Sequence, residues 1–344
     1  YETLRVSETS KISPPRHNLP APATPFVGQE AELAEIAALL QDPDCRLLTL
    51  IGPGGSGKTR LALKAAEARL GEYEHGVYFV SLAPLQLADA VVPAVAEALG
   101  FRFYGGGTPQ DQLFSYLRGK QLLLIVDNYE HLLAPVGGGQ SGGSQLVTEI
   151  LRIAPGVTIL ATSRERLNVG GEHRFAVHGL NYPRFTEDLP VEEALAYGAV
   201  ELFTQGAQRA QPGFQLADEN VGDVARICCL VEGLPMAVRL AAASVDMLPL
   251  SEIATQISKN LDLLATERRD APQRQRSVRA AFDHSWHLLS DRERAAMQAL
   301  SVFRGSFSLK AAQAICGATL VDLRALVDKS LLQVVPRSEP QGLR

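Results

Sequence analysis

Residues 52–59 read Gly-Pro-Gly-Gly-Ser-Gly-Lys-Thr, and they match the phosphate-binding pattern G-x-x-x-x-G-K-[ST] in full. Glycines let successive backbone N–H groups converge on phosphate oxygens, and a helix that begins at the loop adds its positive N-terminal end. The apolar run 46–51 precedes the loop, and an alanine-rich segment of helical spacing, 58–70, follows it. The stretch therefore predicts a nucleotide site between a buried strand and a helix.

The side chains of this phosphate loop predict how a nucleotide and its metal ion are held. Lys58 supplies a point charge to the β- and γ-phosphates, and Thr59 offers its hydroxyl to Mg²⁺. We expect ATP or ADP to contact eight residues of the loop and of the helix that follows it, which are Gly52, Gly54, Gly55, Ser56, Gly57, Lys58, Thr59 and Arg60.

A second magnesium ligand is predicted at the end of another strand. The apolar run 122–126 has the length of a buried strand, and it leaves Asp127 at the carboxyl edge, where ligands bind in open α/β sheets. The next residue, where many such ATPases carry a carboxylate, is Asn128. Glu130 either reaches the site as the base that activates water or faces solvent, and the sequence leaves both readings open. The lack of an obvious base predicts slow hydrolysis.

Two further positions are candidates for nucleotide contacts. Arg164 ends the apolar run 157–162, where its guanidinium either senses the γ-phosphate or pairs with Glu165 or Glu172 on the surface. Pro235 follows Gly233-Leu234 between two helical segments. There it either starts a helix, as proline often does, or packs against an adenine ring, and the pattern alone does not choose.

The order of segments predicts a fold class and a domain plan. Strands alternate with helices as far as about residue 188, which is typical of a parallel sheet covered on both faces. Helical periodicity dominates afterwards, and a capping box at Ser290 and Glu293 opens a late helix that we expect to precede two more helices and a strand at 331–335. We therefore predict an α/β P-loop NTPase domain, a helical domain and a winged-helix domain. The expected bounds are a linker at 1–25, the P-loop domain at 26–188, the helical domain at 189–270 and the winged helix at 271–344.

Composition excludes some functions for the 344-residue chain. Its net charge is -5, and residues 277–344 carry nine Lys and Arg against six Asp and Glu, an excess too small for a basic DNA-binding face. Apolar runs stay well short of the ~18 residues of a membrane span, and the first residues resemble no signal segment. We expect a cytoplasmic protein that binds neither membranes nor, through this part of the chain, nucleic acid.

Taken in order, the motifs resemble those of the STAND ATPases, the signal-transduction ATPases with numerous domains that include the NB-ARC proteins. The shared series is Phe26-Val27-Gly28-Gln29-Glu30, the phosphate loop, Leu124-Ile125-Val126-Asp127-Asn128, Thr162-Ser163-Arg164 and Gly233-Leu234-Pro235. Residues 277–317 are similar to the winged helix of bacterial members, most of all the LuxR-like and SARP-like transcriptional regulators. The resemblance covers about residues 17–335.

This resemblance implies a nucleotide held between the three domains. Phe26 and Val27 would lie near adenine with Pro235 on its other side, while Lys58, Thr59 and Asp127 would hold phosphates and Mg²⁺. Arg164 would act as the γ-phosphate sensor. The family is a switch with weak ATPase activity, in which ADP holds a compact resting form and ATP opens it to self-associate. Its winged helix closes over the nucleotide and does not normally read DNA.

The resemblance also predicts what stands at neighbouring positions and in neighbouring segments. Gln29 stands where the family usually has Arg, and the family's histidine motif would follow the strand at 331–335. An N-terminal effector domain and C-terminal sensor repeats are expected in a full-length protein, and residues 1–9 resemble the tail of a bacterial transcriptional activator domain.

The alternatives to a switch in a transcriptional regulator are a bacterial NLR-like defence protein with the same switch, an ordinary P-loop kinase or ATPase, and a DNA-binding protein.

Overall fold

The computed structural model describes residues 16–133, 143–184, 189–266, 276–303 and 305–334. Within these ranges, three regions with hydrophobic cores of their own follow one another along the chain. None of the helices in this part of the chain combines the length and the apolar character that a membrane crossing demands.

The first region is built on a five-stranded parallel sheet with the order β2-β3-β4-β1-β5. Its strands are β1 (Leu47–Ile51), β2 (Val77–Ser81), β3 (Leu122–Asp127), β4 (Val157–Ser163) and β5 (Glu172–Ala176). All of β3 is buried, as expected for a central strand covered on both faces. The pairing brings the carboxyl ends of β1, β3 and β4 to one edge, so the predicted α/β P-loop NTPase fold is confirmed for this region.

Helices cover both faces of the sheet. They are α1 (Glu30–Gln41), α2 (Lys58–Glu67), α3 (Val91–Ala98), α4 (Pro109–Leu117) and α5 (Gly143–Ile153). Residues of α1 and α2 belong to the core on one face, and residues of α3, α4 and α5 belong to the core on the other. Residues 135–144 contain five glycines, which predicts a flexible loop. Residues 135–142 lie outside the described residues, and Gly143 and Ser144 begin α5.

The second region contains only helices among its described residues: α6 (Val191–Leu195), α7 (Gly198–Ala210), α8 (Val221–Leu230), α9 (Pro235–Ala243) and α10 (Leu250–Lys259). Helical periodicity over 191–211 predicts one helix, but the structure divides it into α6 and α7. Asn181 causes the division, because its side-chain oxygen accepts a hydrogen bond from the Gly198 N–H (2.7 Å) and its carbonyl accepts one from the Ala199 N–H (3.1 Å). These bonds cap α7 from a distant part of the chain.

The third region packs α11 (Val278–His287), α12 (Asp291–Leu300), α13 (Leu309–Cys316) and α14 (Leu320–Asp328) around a small core. The capping box of Ser290 and Glu293 is confirmed at the start of α12. Of the strand expected at 331–335, residues 331–333 form no strand, Val334 forms an isolated β-bridge, and Val335 lies outside the described residues. There the N–H groups of Leu331 and Leu332 both bond to the carbonyl of Leu326, which turns the chain back onto the end of α14. The winged helix stays a prediction.

The described part of the predicted linker, residues 16–25, is attached to the first region. Asn18 bonds to the backbone of Phe79 in β2 twice, accepting from its N–H (2.6 Å) and donating to its carbonyl (2.9 Å). Arg60 of α2 donates to the carbonyls of Thr24 (2.8 Å) and Pro25 (2.6 Å). These bonds fix the segment that leads into Phe26.

Candidate functional site

A cavity of about 380 Å³ lies at the carboxyl edge of the sheet, between the phosphate loop and α9. This volume lies within the range of small-molecule sites. Its lining includes ten of the residues predicted from the sequence, namely Phe26, Val27, Gly54, Gly55, Gly57, Lys58, Thr59, Arg60, Arg164 and Pro235. Gly52, Ser56, Asp127 and Glu130 are not part of the lining and are buried.

The phosphate loop is closely packed against the residues that surround the cavity. Gly55 has a φ of +85°, and a Cβ there would approach the Cβ of Met236 to 2.8 Å. Its carbonyl accepts a hydrogen bond from the Met236 N–H (3.2 Å), which ties the start of α9 to the loop. A Cβ on Gly54 would lie 2.9 Å from the guanidinium of Arg164. Glycine is therefore required at Gly55, whereas a side chain at Gly54 would displace the end of Arg164.

Lys58 holds its charge at the centre of the loop. Its ammonium donates hydrogen bonds to the carbonyls of Gly52 (2.7 Å) and Pro53 (2.9 Å), and the side chain is buried. Ser56 Oγ is buried and forms no hydrogen bond with the described residues. The loop thus presents a buried cation beside convergent backbone groups, the arrangement that binds a polyphosphate.

Asp127 and Thr59 are in direct contact. The Thr59 hydroxyl donates to Asp127 Oδ1 (2.6 Å), and the hydroxyl of Thr162 donates to the same oxygen (2.6 Å). Thr162 Oγ1 accepts from the Asn128 N–H (3.0 Å), which fixes the turn after β3. A hydroxyl and a carboxylate oxygen side by side are ligands that suit Mg²⁺, so the residues present fit the predicted metal.

Arg164 joins the phosphate loop to the third region. Its Nε lies 3.2 Å from Oε1 of the buried Glu130, and its Nη1 donates to the carbonyl of Ala281 (2.8 Å) and to the hydroxyl of Ser285. Both of these acceptors lie on α11. One of the two readings of the sequence paired Arg164 with Glu165 or Glu172 on the surface. In the structure Arg164 forms its ion pair with Glu130, inside the protein.

Glu130 has the environment of a counter-ion. Burial by itself would raise the pKa of its carboxyl, but Lys58, a backbone hydrogen bond, Arg164 and Asn128 together outweigh burial and lower that pKa. A carboxylate with a lowered pKa is a weaker base. The ion pair with Arg164 therefore favours a positioning role for Glu130, and its activation of water stays a prediction.

The third region docks on the residues that follow β4. Ser330 donates to the carbonyl of Arg164 (2.7 Å), and Arg166 pairs with Asp328 at the end of α14. Glu165 lies between these contacts, near Lys329, Glu130, Glu293 and Asp328. Arg164 and Arg166 thus hold the third region against the sheet, with Glu165 between them.

We predict that the stability of this docking falls as the pH rises. Burial raises the pKa of Glu165 to about 7, since Lys329 does not offset burial and the nearby carboxylates. Between pH 4.5 and about 7, Glu165 therefore keeps its proton in the folded protein but has lost it in the unfolded chain. The contribution of this proton to the free energy of unfolding is fully present below that pH window and is lost as the pH rises through it. The loss is about 3 kcal/mol, at 1.36 kcal/mol per pKa unit.

Chemical unfolding at pH 5 and pH 8 measures this loss, with Glu165→Gln as the variant. The glutamine carries no titrating proton, so its stability should change less between the two pH values than that of the unaltered protein. An equal change in both proteins would contradict the assignment to Glu165.

Sequence reasoning missed nearly half of the cavity lining. The missed residues are Gln29, Asn128, Leu180, Leu202, Met236, Arg239, Leu240, Ala243 and Thr266. A signal did exist for part of this set, because positions 236, 239, 240 and 243 follow Pro235 at the spacing of one helix face. The other positions converge only through the fold.

No protein-family model matches the chain. Two mycobacterial proteins are similar to it in sequence. The uncharacterized protein Rv0894 of Mycobacterium tuberculosis is 33% identical over 343 residues, which are 97% of this chain and 81% of Rv0894. Rv0890c of the same organism, named as a candidate HTH-type transcriptional regulator, is 37% identical over 294 residues. That match covers 83% of this chain but 31% of Rv0890c, so the chain corresponds to about a third of that protein.

A solved structure supports the fold. The Walker-type ATPase PABY2304 of Pyrococcus abyssi matches 93% of each chain with a TM-score of 0.54 and 12% sequence identity. At this identity the likeness extends to the fold alone, and it agrees with the parallel sheet and phosphate loop described above. The chain belongs to the family of the mycobacterial protein Rv0894 and has the fold of a P-loop ATPase.

Proposed function

We propose that this chain is the ATP-binding regulatory core of a larger transcriptional regulator and acts as a STAND-type switch. In this proposal ADP stabilises the docked arrangement, and ATP with Mg²⁺ releases it. The name of Rv0890c and its greater length support the regulatory context. The observation that carries the proposal is that Arg164 lines the nucleotide cavity and also bonds to α11.

The cavity divides into two ends that suit the two ends of a nucleotide. Lys58 and the loop N–H groups would hold the phosphates, and Thr59 with Asp127 would hold Mg²⁺. When bound, the metal neutralises charge on the β- and γ-phosphates. Apolar side chains at the other end would enclose the base, and they are Phe26, Val27, Leu180, Leu202 and Leu240. Pro235 starts α9 beside Gly57 of the loop, and its packing against adenine stays a prediction.

Arg164 would couple the γ-phosphate to the position of α11. Its guanidinium now donates to the Ala281 carbonyl and the Ser285 hydroxyl, which are neutral acceptors. A charged phosphate oxygen is a stronger acceptor than either of them. ATP would therefore draw Arg164 away from α11, whereas ADP lacks the group that competes.

Release of the third region would permit self-association, as the STAND resemblance implies. In the docked arrangement Arg166 pairs with Asp328 at the end of α14, and Ser330 donates to the Arg164 carbonyl, so these contacts would have to break before the third region moves. Effector and sensor segments of a longer protein would transmit and trigger this change. Hydrolysis would return the switch to the ADP state slowly, because Glu130 remains paired with Arg164.

The switch requires hydrolysis that depends on Asp127, and Asp127→Asn tests this requirement. The amide oxygen can still accept hydrogen bonds from Thr59 and Thr162, but it lacks the charge that binds Mg²⁺. We expect ATP turnover to fall about a hundredfold, with ADP affinity within about threefold of the unaltered protein.

Phosphate release measured with and without Mg²⁺ gives the turnover, and calorimetry gives the ADP affinity. Asp44→Asn, at an exposed aspartate before β1, is the matched control. Unchanged Mg²⁺-dependent turnover in Asp127→Asn would remove Asp127 from the site.

A further inference from the structure

The cavity is strongly cationic although the chain as a whole is acidic. Lys58, Arg60, Arg164 and Arg239 line it, and none of the described lining residues is Asp or Glu. The chain carries a net charge of -5, so this concentration of positive charge is local. Three of the four cations come from the first region, and the fourth, Arg239, comes from α9 in the second region.

The position of Arg239 along α9 places it between the two ends of the cavity. Met236 marks the phosphate end, since its N–H bonds to the carbonyl of Gly55. Leu240 and Ala243 mark the apolar end. With a rise of about 1.5 Å per residue, Arg239 lies roughly 4–5 Å beyond Met236 and 6 Å before Ala243 along the helix axis.

Arg239 shares the cavity with a like charge. Arg60 also lines it, and its bonds to the carbonyls of Thr24 and Pro25 fix its guanidinium. Burial lowers the pKa of Arg60, and the positive charges of Arg239 and Arg209 lower it further. Two cations facing one cavity repel each other, and an anion between them converts that repulsion into attraction.

We propose that Arg239 binds the middle of the nucleotide, at the α-phosphate and ribose. This inference rests on the proposed nucleotide site and adds a contact from the helical region that the motifs do not contain. A charged contact from α9 makes nucleotide affinity depend on how the second region sits against the first. Because the α-phosphate is common to both nucleotides, Arg239 contributes equally to ADP and ATP binding.

Arg239→Gln tests this role by equilibrium dialysis with radiolabelled ADP and with a non-hydrolysable ATP analogue. A hydrogen bond to a charged group contributes about 1.5–3 kcal/mol, so we expect both nucleotides to bind at least about tenfold more weakly. Arg239→Lys retains the charge and should recover part of the loss. Arg226→Gln, at an exposed arginine of α8 outside the cavity, is the matched control and should bind as the unaltered protein does.

The outcomes separate this inference from the proposed function. If the unaltered protein binds neither nucleotide, the proposed function fails. If it binds both and Arg239→Gln binds equally well, the Arg239 contact alone is refuted. A loss confined to the ATP analogue would also refute it, by placing Arg239 at the γ-phosphate. Thermal unfolding without nucleotide checks that the variants are folded, and a lowered melting temperature in Arg239→Gln but not Arg239→Lys would assign the loss to folding.

Discussion

Lys58→Ala is expected to weaken ADP and ATP binding about a thousandfold. The buried ammonium of Lys58 lies over the loop carbonyls of Gly52 and Pro53, where the β- and γ-phosphates would take their place as acceptors. Two charge-assisted hydrogen bonds of about 2 kcal/mol each account for a loss of this size. Alanine cannot replace them, and the loop N–H groups alone would bind the phosphates weakly.

Purified protein can be denatured and the released nucleotide identified by chromatography. The unaltered protein should release ADP in a near-stoichiometric amount, and Lys58→Ala should release almost none. Lys64→Ala is the matched control, because Lys64 lies on the same helix, is exposed and pairs only with the exposed Glu67 among the described contacts. Equal retention by Lys58→Ala and Lys64→Ala would contradict the role of the phosphate loop.

Arg164→Ala is expected to lower the free energy of unfolding by about 4 kcal/mol. The substitution removes the ion-pair partner of Glu130 in a pair that is almost completely buried, and breaking such a pair is costly even with Lys58 and Asn128 still near the carboxylate. It also removes the hydrogen bonds to Ala281 and Ser285 that hold α11. The third region should therefore become sensitive to limited proteolysis under conditions in which the unaltered protein resists it.

Two variants test whether this loss of stability comes from breaking the buried ion pair or from removing any arginine that forms an ion pair. Arg166→Ala breaks the partly exposed pair with Asp328 and should cost about 1 kcal/mol or less. Combining Arg164→Ala with Glu130→Gln removes the stranded charge and should recover part of the loss, as a double-mutant cycle measures. An equal loss for Arg164→Ala and Arg166→Ala, with no recovery in the double variant, would contradict the account.

The phosphate loop and Asp127 are predictable from the sequence because their signals are local. A buried strand, a glycine-rich turn and a helix start fall within residues 46–70, and Asp127 follows directly on an apolar strand. The parallel sheet then brings the carboxyl ends of β1 and β3 to the same edge, so Thr59 meets Asp127 across 68 positions of sequence.

The partners of Arg164 could not be predicted in the same way. Ala281 and Ser285 are 117 and 121 positions away, and Glu130 reaches Arg164 only after β3 and β4 pair. No periodicity encodes such a contact. The division between α6 and α7 has a similar origin, since Asn181 caps α7 from outside the helix.

The most direct test of the switch is hydrogen exchange of the α11 backbone with each nucleotide bound. The protein is saturated either with ADP or with a non-hydrolysable ATP analogue and Mg²⁺, and saturation is checked separately by calorimetry. If ATP draws Arg164 away from Ala281 and Ser285, the amides of α11 (Val278–His287) exchange faster with the ATP analogue than with ADP. Identical exchange in two fully saturated samples would contradict the proposal that the nucleotide controls docking of the third region.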